Sequence, residues 1–374
     1  MGDVAIVVGG GTPDTNNHKY WNGDIQWFTP SEIGRDKYVT NSLRTISEEG
    51  LNKSSAKLLP IGTILLSSRA TVGECSINKV ECTTNQGFQS LIPKEYFSKE
   101  FVFYLMQTKR KELIRKSCGS TFLEISANEV RKIKIAVPTS KEQEKISKLL
   151  ALLDERISTQ NKIIEDLKKL KSAISKYLFE RKDLFENKIK LSKVAELKNG
   201  YAFQSSKYNA LGKWKILTIA NVAGERYVKT NECNSIIEIP YDIQKHQKLE
   251  SNDILISLTG NVGRVSLCTE GFFLLNQRVG LLQLKISKNR EFIYQVLSFH
   301  KFEESMIACA QGAAQMNIGK GDVENYILPY SFNKENINSV ASVLKNYDKY
   351  IINEINMLSM LHSQKQYLLR QMFI

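Results

Sequence analysis

The chain has 374 residues, 42% of them apolar and 24% charged, with 52 Lys and Arg against 39 Asp and Glu. That length holds two to three domains with proper cores, and without a run of about eighteen apolar residues no membrane-spanning helix is expected. A formal charge of +13 favours polyanionic partners such as nucleic acid without deciding for one.

Six cysteines (Cys75, Cys82, Cys118, Cys233, Cys268, Cys309) lie far apart, with no CxxC and no accompanying histidine pair. Idle or buried thiols in a reducing compartment fit this better than disulfides or zinc, so the cytoplasm is the expected location. Met1-Gly2-Asp3 leads straight into Val4 to Val8, without the basic segment and cleavage site of a signal peptide. Val7 stands where a myristoylation motif needs Ser or Thr.

In chain order, Val4 to Val8 reads as an apolar strand or helix end running into a Gly9-Gly10-Gly11-Thr12-Pro13 turn. A polar loop with His18, Lys19, Tyr20 and Trp21 follows, then a second apolar stretch, Ile25 to Phe28. Thr63 to Ser67 is a buried strand entered through the turn at Pro60 to Gly62. Ser68 to Gly73 turns the chain, and Thr84 to Phe88 marks another strand edge or loop. Phe101 to Lys116 reads as one helix ending in a basic cluster. Pro138 closes the domain, and Ser140 with Gln143 has the form of a capping box opening a long helix to about Arg181.

That helix carries the organising pattern. Alternating steps of four and three give Ile146, Leu150, Leu153, Ile157, Gln160, Ile164, Leu167, Lys171, Ile174 and Leu178, a narrow apolar seam with two polar breaks. The same walk from Val340 gives Leu344, Tyr347, Ile351, Glu354, Leu358, Leu361, Lys365, Leu368 and Met372, with its breaks at the same steps, 194 residues on. The chain is therefore a duplication in which each half ends in a long helix.

The rest of the second half repeats the order of the first. Val194-Ala195 returns Val4-Ala5, Leu249 to Ser257 returns Leu59 to Ser67, and Val262-Gly263 returns Val72-Gly73, each 190 residues on. Asn276-Gln277 returns Asn85-Gln86, and Pro329 returns Pro138. Between these landmarks the loops diverge: Thr12 to Lys19 has little in common with Ala202 to Asn209. A shared framework with different loops suits two binding modules of different specificity. The expected division is 1–138 and 191–329 for the heads, 139–182 and 330–374 for the helices, and 183–190 for a connector.

Motifs of catalysis are scarce. The chain contains no Pro-Pro, hence no Asn-Pro-Pro-aromatic loop of the kind amino-methyltransferases use on adenine. Gly9-Gly10-Gly11 lacks the third, spaced glycine of a dinucleotide fingerprint, and Gly319-Lys320 lacks the rest of a phosphate loop. The histidines His18, His246, His300 and His362 have no metal-ligand spacing. The residues point to a binding protein, not an enzyme, with neither metal nor cofactor expected on this chain.

Taken in order and twice over, the motifs resemble the DNA-specificity subunit of type I restriction-modification systems. The first copy carries Gly2 to Ala5, Gly10 to Pro13, Trp27 to Pro30, Ile33, Gly62 to Arg69, Val72-Gly73, Thr84 to Phe88 and Pro138 before Glu142-Gln143 and Ile146. The second carries Asp253 to Ser257, Gly260, Gly263-Arg264, Asn276 to Arg278 and Pro329. The first copy departs from the second in two ways. The chain begins a few residues short of the equivalent of Ile189 to Lys193, so its opening element is expected to be shorter. Glu74 also stands where the second copy has the basic Arg264.

The resemblance implies an α+β fold: two tandem target-recognition domains of α/β type, each followed by a long helix, with the helices paired as an antiparallel coiled coil about a pseudo-two-fold axis. It implies double-stranded DNA as ligand, two copies of a methyltransferase subunit carrying S-adenosylmethionine, and a motor-nuclease subunit using ATP and Mg. From Ile146 to Leu178 the helix would run roughly 48 Å, a little over one turn of DNA, so the helices would hold two half-sites at a fixed spacing. The rival reading is a coiled-coil protein-interaction scaffold whose charge is incidental.

In the favoured seam register Lys171 faces Glu354 and Lys365 faces Gln160, from Leu153 opposite Met372 to Leu178 opposite Tyr347; the alternative is that both lysines reach out to water. Candidates for DNA contact in the first copy are Lys19, Tyr20, Trp21, Arg35 and Lys37 on loops, with Ser68, Arg69, Asn85 and Gln86 on shared framework, where phosphate contact or fold maintenance is favoured over base reading. In the second copy they are Tyr201, Phe203, Gln204, Lys207, Asn261, Arg264, Arg278, Gln311 and Gln315. Trp27 and Trp214 are assigned to the core.

Overall fold

The structure is a computed structural model that describes residues 1–119, 123–285, 289–311 and 315–373. It divides into two compact units, residues 1–160 with 357–374, and residues 161–356. In the first, the chain forms β1 (Ala5–Gly9), β2 (Trp21–Phe28), β3 (Tyr38–Val39), β4 (Arg44–Ile46), α1 (Glu48–Asn52), β5 (Ile64–Leu66), β6 (Cys75–Asn78), β7 (Cys82–Thr84) and β8 (Gln89–Pro93). Helices α2 (Lys99–Thr108), α3 (Arg110–Lys116) and α4 (Ala127–Arg131) follow, then α5 (Ser140–Glu180), whose second half belongs to the other unit.

Five strands make one sheet in the order β1-β8-β5-β6-β3, and three make another in the order β4-β2-β7. The run Ile64-Leu65-Leu66 is continuously apolar because β5 is covered on both faces. Ile64 and Leu66 pack with Phe101, Tyr104 and Leu105 of α2, whereas Leu65 faces Phe28, Leu59, Cys82 and Phe88 around the second sheet. Leu150 of α5 and Leu369 from the end of the chain close the helix side of this core.

The second unit contains β9 (Asn187–Lys190), β10 (Ala195–Asn199), β11 (Trp214–Leu217), β12 (Asn234–Ile236), β13 (Lys248–Leu249), β14 (Ile254–Ser257), β15 (Val265–Leu267), β16 (Phe273–Leu275) and β17 (Val279–Leu284). Helices α6 (Arg290–Leu297), α7 (His300–Ala310) and α8 (Lys320–Glu324), strand β18 (Ile327–Tyr330) and α9 (Lys334–Met372) complete it, with the last part of α9 in the first unit. The main sheet runs β10-β17-β14-β15, the order of β1-β8-β5-β6 with each strand replaced by its counterpart. The second sheet, β12-β11-β16-β13, repeats β4-β2-β7, including the parallel pair β11–β16 that mirrors β2–β7. Even β13 has a counterpart, the single bridge between Leu59 and Cys82. Two heads with one topology follow from the duplication.

Some local expectations are corrected. Phe101 to Lys116 is two helices, α2 and α3, divided at Lys109. The box at the start of α5 is formed by Thr139 and Glu142: the Thr139 backbone N–H and hydroxyl both donate to the Glu142 carboxylate, at 3.2 and 2.9 Å. Gln143 is buried instead, accepting from the Ser98 N–H at 3.0 Å and donating to the Pro138 carbonyl at 3.0 Å, which ties the helix start to the head.

Within each unit a stretch of α5 runs against a stretch of α9, and every residue of the two walks is buried or half-buried. The lysine ion pairs define the register. Lys171 meets Asp348 at 2.6 Å and Lys365 meets Asp154 at 2.6 Å. Each partner lies six residues from the one expected (348 for 354, 154 for 160), and in the same direction. Six residues is about 9 Å of helix, more than a lysine arm spans, so the register is displaced from the favoured reading. The lysines do not simply reach out to water either, since each is only 17% exposed.

Candidate nucleic-acid interface

In each unit the loops at one end of the main sheet are tied into a cluster. In the first, Gly11 donates its N–H to the Thr84 carbonyl at 2.8 Å, and the Thr12 hydroxyl donates to the Gln86 side chain. A Cβ on Gly10 would stand 1.9 Å from the Asn85 carbonyl oxygen, so only glycine lets β1 leave the sheet so close to the β7–β8 turn. Ser68 donates its N–H to Gly87 at 2.8 Å, Ile125 donates to Ser68 at 3.1 Å, and Arg69 pairs with Glu124 at 2.8 Å. The Gly10-Gly11-Thr12, Ser67-Ser68-Arg69 and Asn85-Gln86-Gly87 segments are therefore the contact points of one platform.

The second unit repeats the ties. Tyr201 donates its N–H to Leu275 at 2.8 Å, Gln277 to Tyr201 at 2.9 Å, Leu258 to Arg278 at 3.0 Å and Ile318 to Leu258 at 2.9 Å. A Cβ on Gly200 would meet the Asn276 carbonyl oxygen at 2.1 Å. Asn276 and Gln277 thus stand where Asn85 and Gln86 stand, a correspondence the repeat in the sequence carries, and they join Arg278 in this turn. Thr12 and Asn317, which bridges to Thr259, are further platform residues that sequence reasoning passed over.

The candidates separate by what their side chains already do. Lys19, Arg35, Gln86, Gln204, Lys207, Asn261, Arg278, Gln311 and Gln315 are exposed; Tyr20, Asn85, Tyr201 and Phe203 are half-buried. Tyr201 donates its hydroxyl to Asp242 at 2.9 Å, and this bond raises its pKa above the ordinary phenol value. Its ring packs on that of Phe203, with centroids 4.9 Å apart.

Five candidates are engaged by the fold, one of them Arg69 through its pair with Glu124. Trp21 is buried, donates its indole N–H to the Asp14 carbonyl at 3.1 Å and lies under the Arg44 guanidinium at 3.6 Å, edge-on to Trp27. Ser68 is fully buried. Lys37 donates to the Tyr104 hydroxyl at 3.1 Å and sits 4.5 Å from that ring; burial lowers its pKa. Arg264 pairs with Glu303 of α7 at 3.4 Å.

That last pair has a mirror. In the first unit Glu74 pairs with Arg110 of α3 at 2.7 Å, the same hairpin-to-helix contact with its charges exchanged. The helix presses on the hairpin in both: Gly73 and Gly263 have φ of 86° and 79°, and a Cβ there would meet Arg110 Cγ at 2.8 Å and Met306 Cβ at 2.7 Å. The difference between Glu74 and Arg264 is one of ion-pair polarity.

The family model described as the type I restriction modification DNA specificity domain matches residues 1–169 and again 185–357. The chain belongs to that family. Among similar curated proteins, the type I restriction enzyme MjaIX specificity subunit of Methanocaldococcus jannaschii is 37% identical over 189 residues, 50% of this chain and 44% of that one. The EcoR124I/EcoR124II specificity subunit of Escherichia coli is 30% identical over 174 residues, 45% of this chain and 42% of that one. The matched stretches thus span less than half the length of these relatives.

Solved family structures share the fold across the whole chain. The S subunit of a type I restriction-modification system from M. genitalium matches with a TM-score of 0.57 at 16% identity, covering 100% of this chain and 94% of that one. A chain from a structure addressing complex assembly and conformational transition of the type I system matches with a TM-score of 0.63 at 15% identity, covering 99% and 95%. Among the described residues no helix is long and apolar enough to cross a membrane, and no cluster of ligating side chains fits a metal.

Proposed function

We propose that the chain is the non-catalytic DNA-specificity subunit of a type I restriction-modification complex. Each head reads a short half-site through its loop platform, and the helical rod sets the length of the unread spacer. The observation that carries this reading is the pair of platforms: one framework, tied by equivalent hydrogen bonds in both units, bearing loops that differ between them. Unlike loops on like frames give an asymmetric, bipartite site. The contacts proposed are the exposed or half-buried candidates Lys19, Tyr20, Arg35, Asn85, Gln86, Tyr201, Phe203, Gln204, Lys207, Asn261, Arg278, Gln311 and Gln315, joined by Thr12, Asn276 and Gln277.

Catalysis falls to partners: two methyltransferase subunits with S-adenosylmethionine, and a motor-nuclease subunit with ATP and Mg. The test is methylation mapping with this chain and its methyltransferase, followed by insertion of one heptad in both α5 and α9. A bipartite asymmetric motif whose spacer lengthens with the insertion is expected. An unchanged spacer sinks the ruler. No motif at all, with binding to DNA that lacks steep salt dependence, favours the interaction scaffold.

A further inference from the structure

Each head is joined to its own stretch of rod by a polar cluster at equivalent positions, five bonded residues in the second unit and four in the first. In the second unit, Arg226 on the loop after β11 donates twice to Glu291 of α6, at 2.8 and 2.7 Å, and once to Asp348 of α9, at 2.7 Å. Gln295 of α6 donates to Asp348 at 2.6 Å and to Glu291 at 2.8 Å, and Lys171 of α5 completes the set at Asp348. Arg226 and Asp348 are 7% and 8% exposed. The first unit has Lys37 for Arg226, Tyr104 for Gln295, Asp154 for Asp348 and Lys365 for Lys171, while Glu100, at the position of Glu291, accepts from the Ser98 hydroxyl instead. There Lys37 donates to the Tyr104 hydroxyl, which donates on to Asp154 at 2.7 Å, where Lys365 also pairs.

Apolar contact between head and rod is non-directional and tolerates sliding, whereas charge-assisted hydrogen bonds are short and angular. A carboxylate on the rod that accepts from loop, head helix and second rod helix fixes rotation as well as position. One added base pair turns a half-site by about 35° and moves it about 3.4 Å, a change a locked head cannot follow.

We infer that the Lys37–Tyr104–Asp154–Lys365 and Arg226–Glu291–Gln295–Asp348–Lys171 clusters are positioning devices that clamp each head on its rod and so make the complex discriminate between spacer lengths. These residues touch no DNA; they act by holding the platform that does. The inference rests on the function proposed above.

The test uses the assembled complex with its methyltransferase, and duplexes carrying its mapped site with the spacer native, one base pair longer or one shorter. Wild type is measured beside Arg226→Met, Lys37→Met and the conservative Arg226→Lys. Expected for the Met variants is near-native methylation at the native spacer with discrimination against the altered spacers reduced about tenfold, a loss of about 1.4 kcal/mol; Arg226→Lys falls between. The half-site bases preferred should not change, which separates positioning from base contact. A spacer profile identical to wild type overturns the inference, and so does uniform loss at all three spacers. If Arg226→Met does not fold, the Lys37→Met and Arg226→Lys profiles decide. Failure of the proposed function would show differently, as a wild type with no site preference at all.

Discussion

The two head–rod junctions solve one problem at different dryness. The second sets a guanidinium against two carboxylates with little water; the first uses a lysine, reaching its rod carboxylate through the hydroxyl of a tyrosine whose pKa burial raises. Arginine stays charged and forks onto a carboxylate even when desolvated, whereas a lysine ammonium is strongly hydrated and its pKa falls on burial, as it does for Lys37. The comparison teaches that a duplicated framework conserves the geometry of a junction while exchanging the groups that make it. The drier junction is then the one least able to lose a member.

Removing the hub of each cluster should expose that difference most strongly. Asp348→Ala leaves a buried Arg226 and Lys171 short of their shared carboxylate and should cost about 3–5 kcal/mol in chemical denaturation. Asp154→Ala removes a more exposed hub, at 25% side-chain exposure, and should cost clearly less; equal costs would mean the junctions are energetically alike. Next come Leu150→Ala and Leu344→Ala, fully buried residues at equivalent steps of the two helices, each expected to cost about 3 kcal/mol. Those two values should match, since the seam is apolar in both halves, and a large gap would mean the halves relax differently around a cavity. Smallest is the exchanged pair: Glu74→Arg should destabilise by about 0.5 kcal/mol, and adding Arg110→Glu should restore it, because the pair is half in water.

Much of this was legible in the chain. Ile64-Leu65-Leu66 and its echo Ile254-Leu255-Ile256 announced a strand covered on both faces, and the heptad walks announced two paired helices, because periodicity reports burial directly. The lysine partners were not legible. Apolar steps fix which face pairs but leave slippage along the seam open, and the carboxylates that settle it, Asp154 and Asp348, lie one residue off the walk. Lys37 and Trp21 looked like ligand-facing residues for a related reason: sequence shows a charge or a ring on a loop but not the Tyr104 hydroxyl or Arg44 guanidinium that already occupies it. The junction clusters went unread because their members are scattered across loop, head helix and both rod helices.

The opposed polarity of the hairpin-to-helix pairs bears on how such a gene could be reshuffled. A crossover that carried the β14–β15 hairpin of one half onto the α3 helix of the other would set Arg264 beside Arg110, and the reciprocal product would set Glu74 beside Glu303. Whole heads trade places without that clash, because each brings its own counter-charge. A hybrid joint inside a head therefore carries a small electrostatic cost, on the order of 0.5 kcal/mol per mismatched pair, that exchange of an intact head avoids.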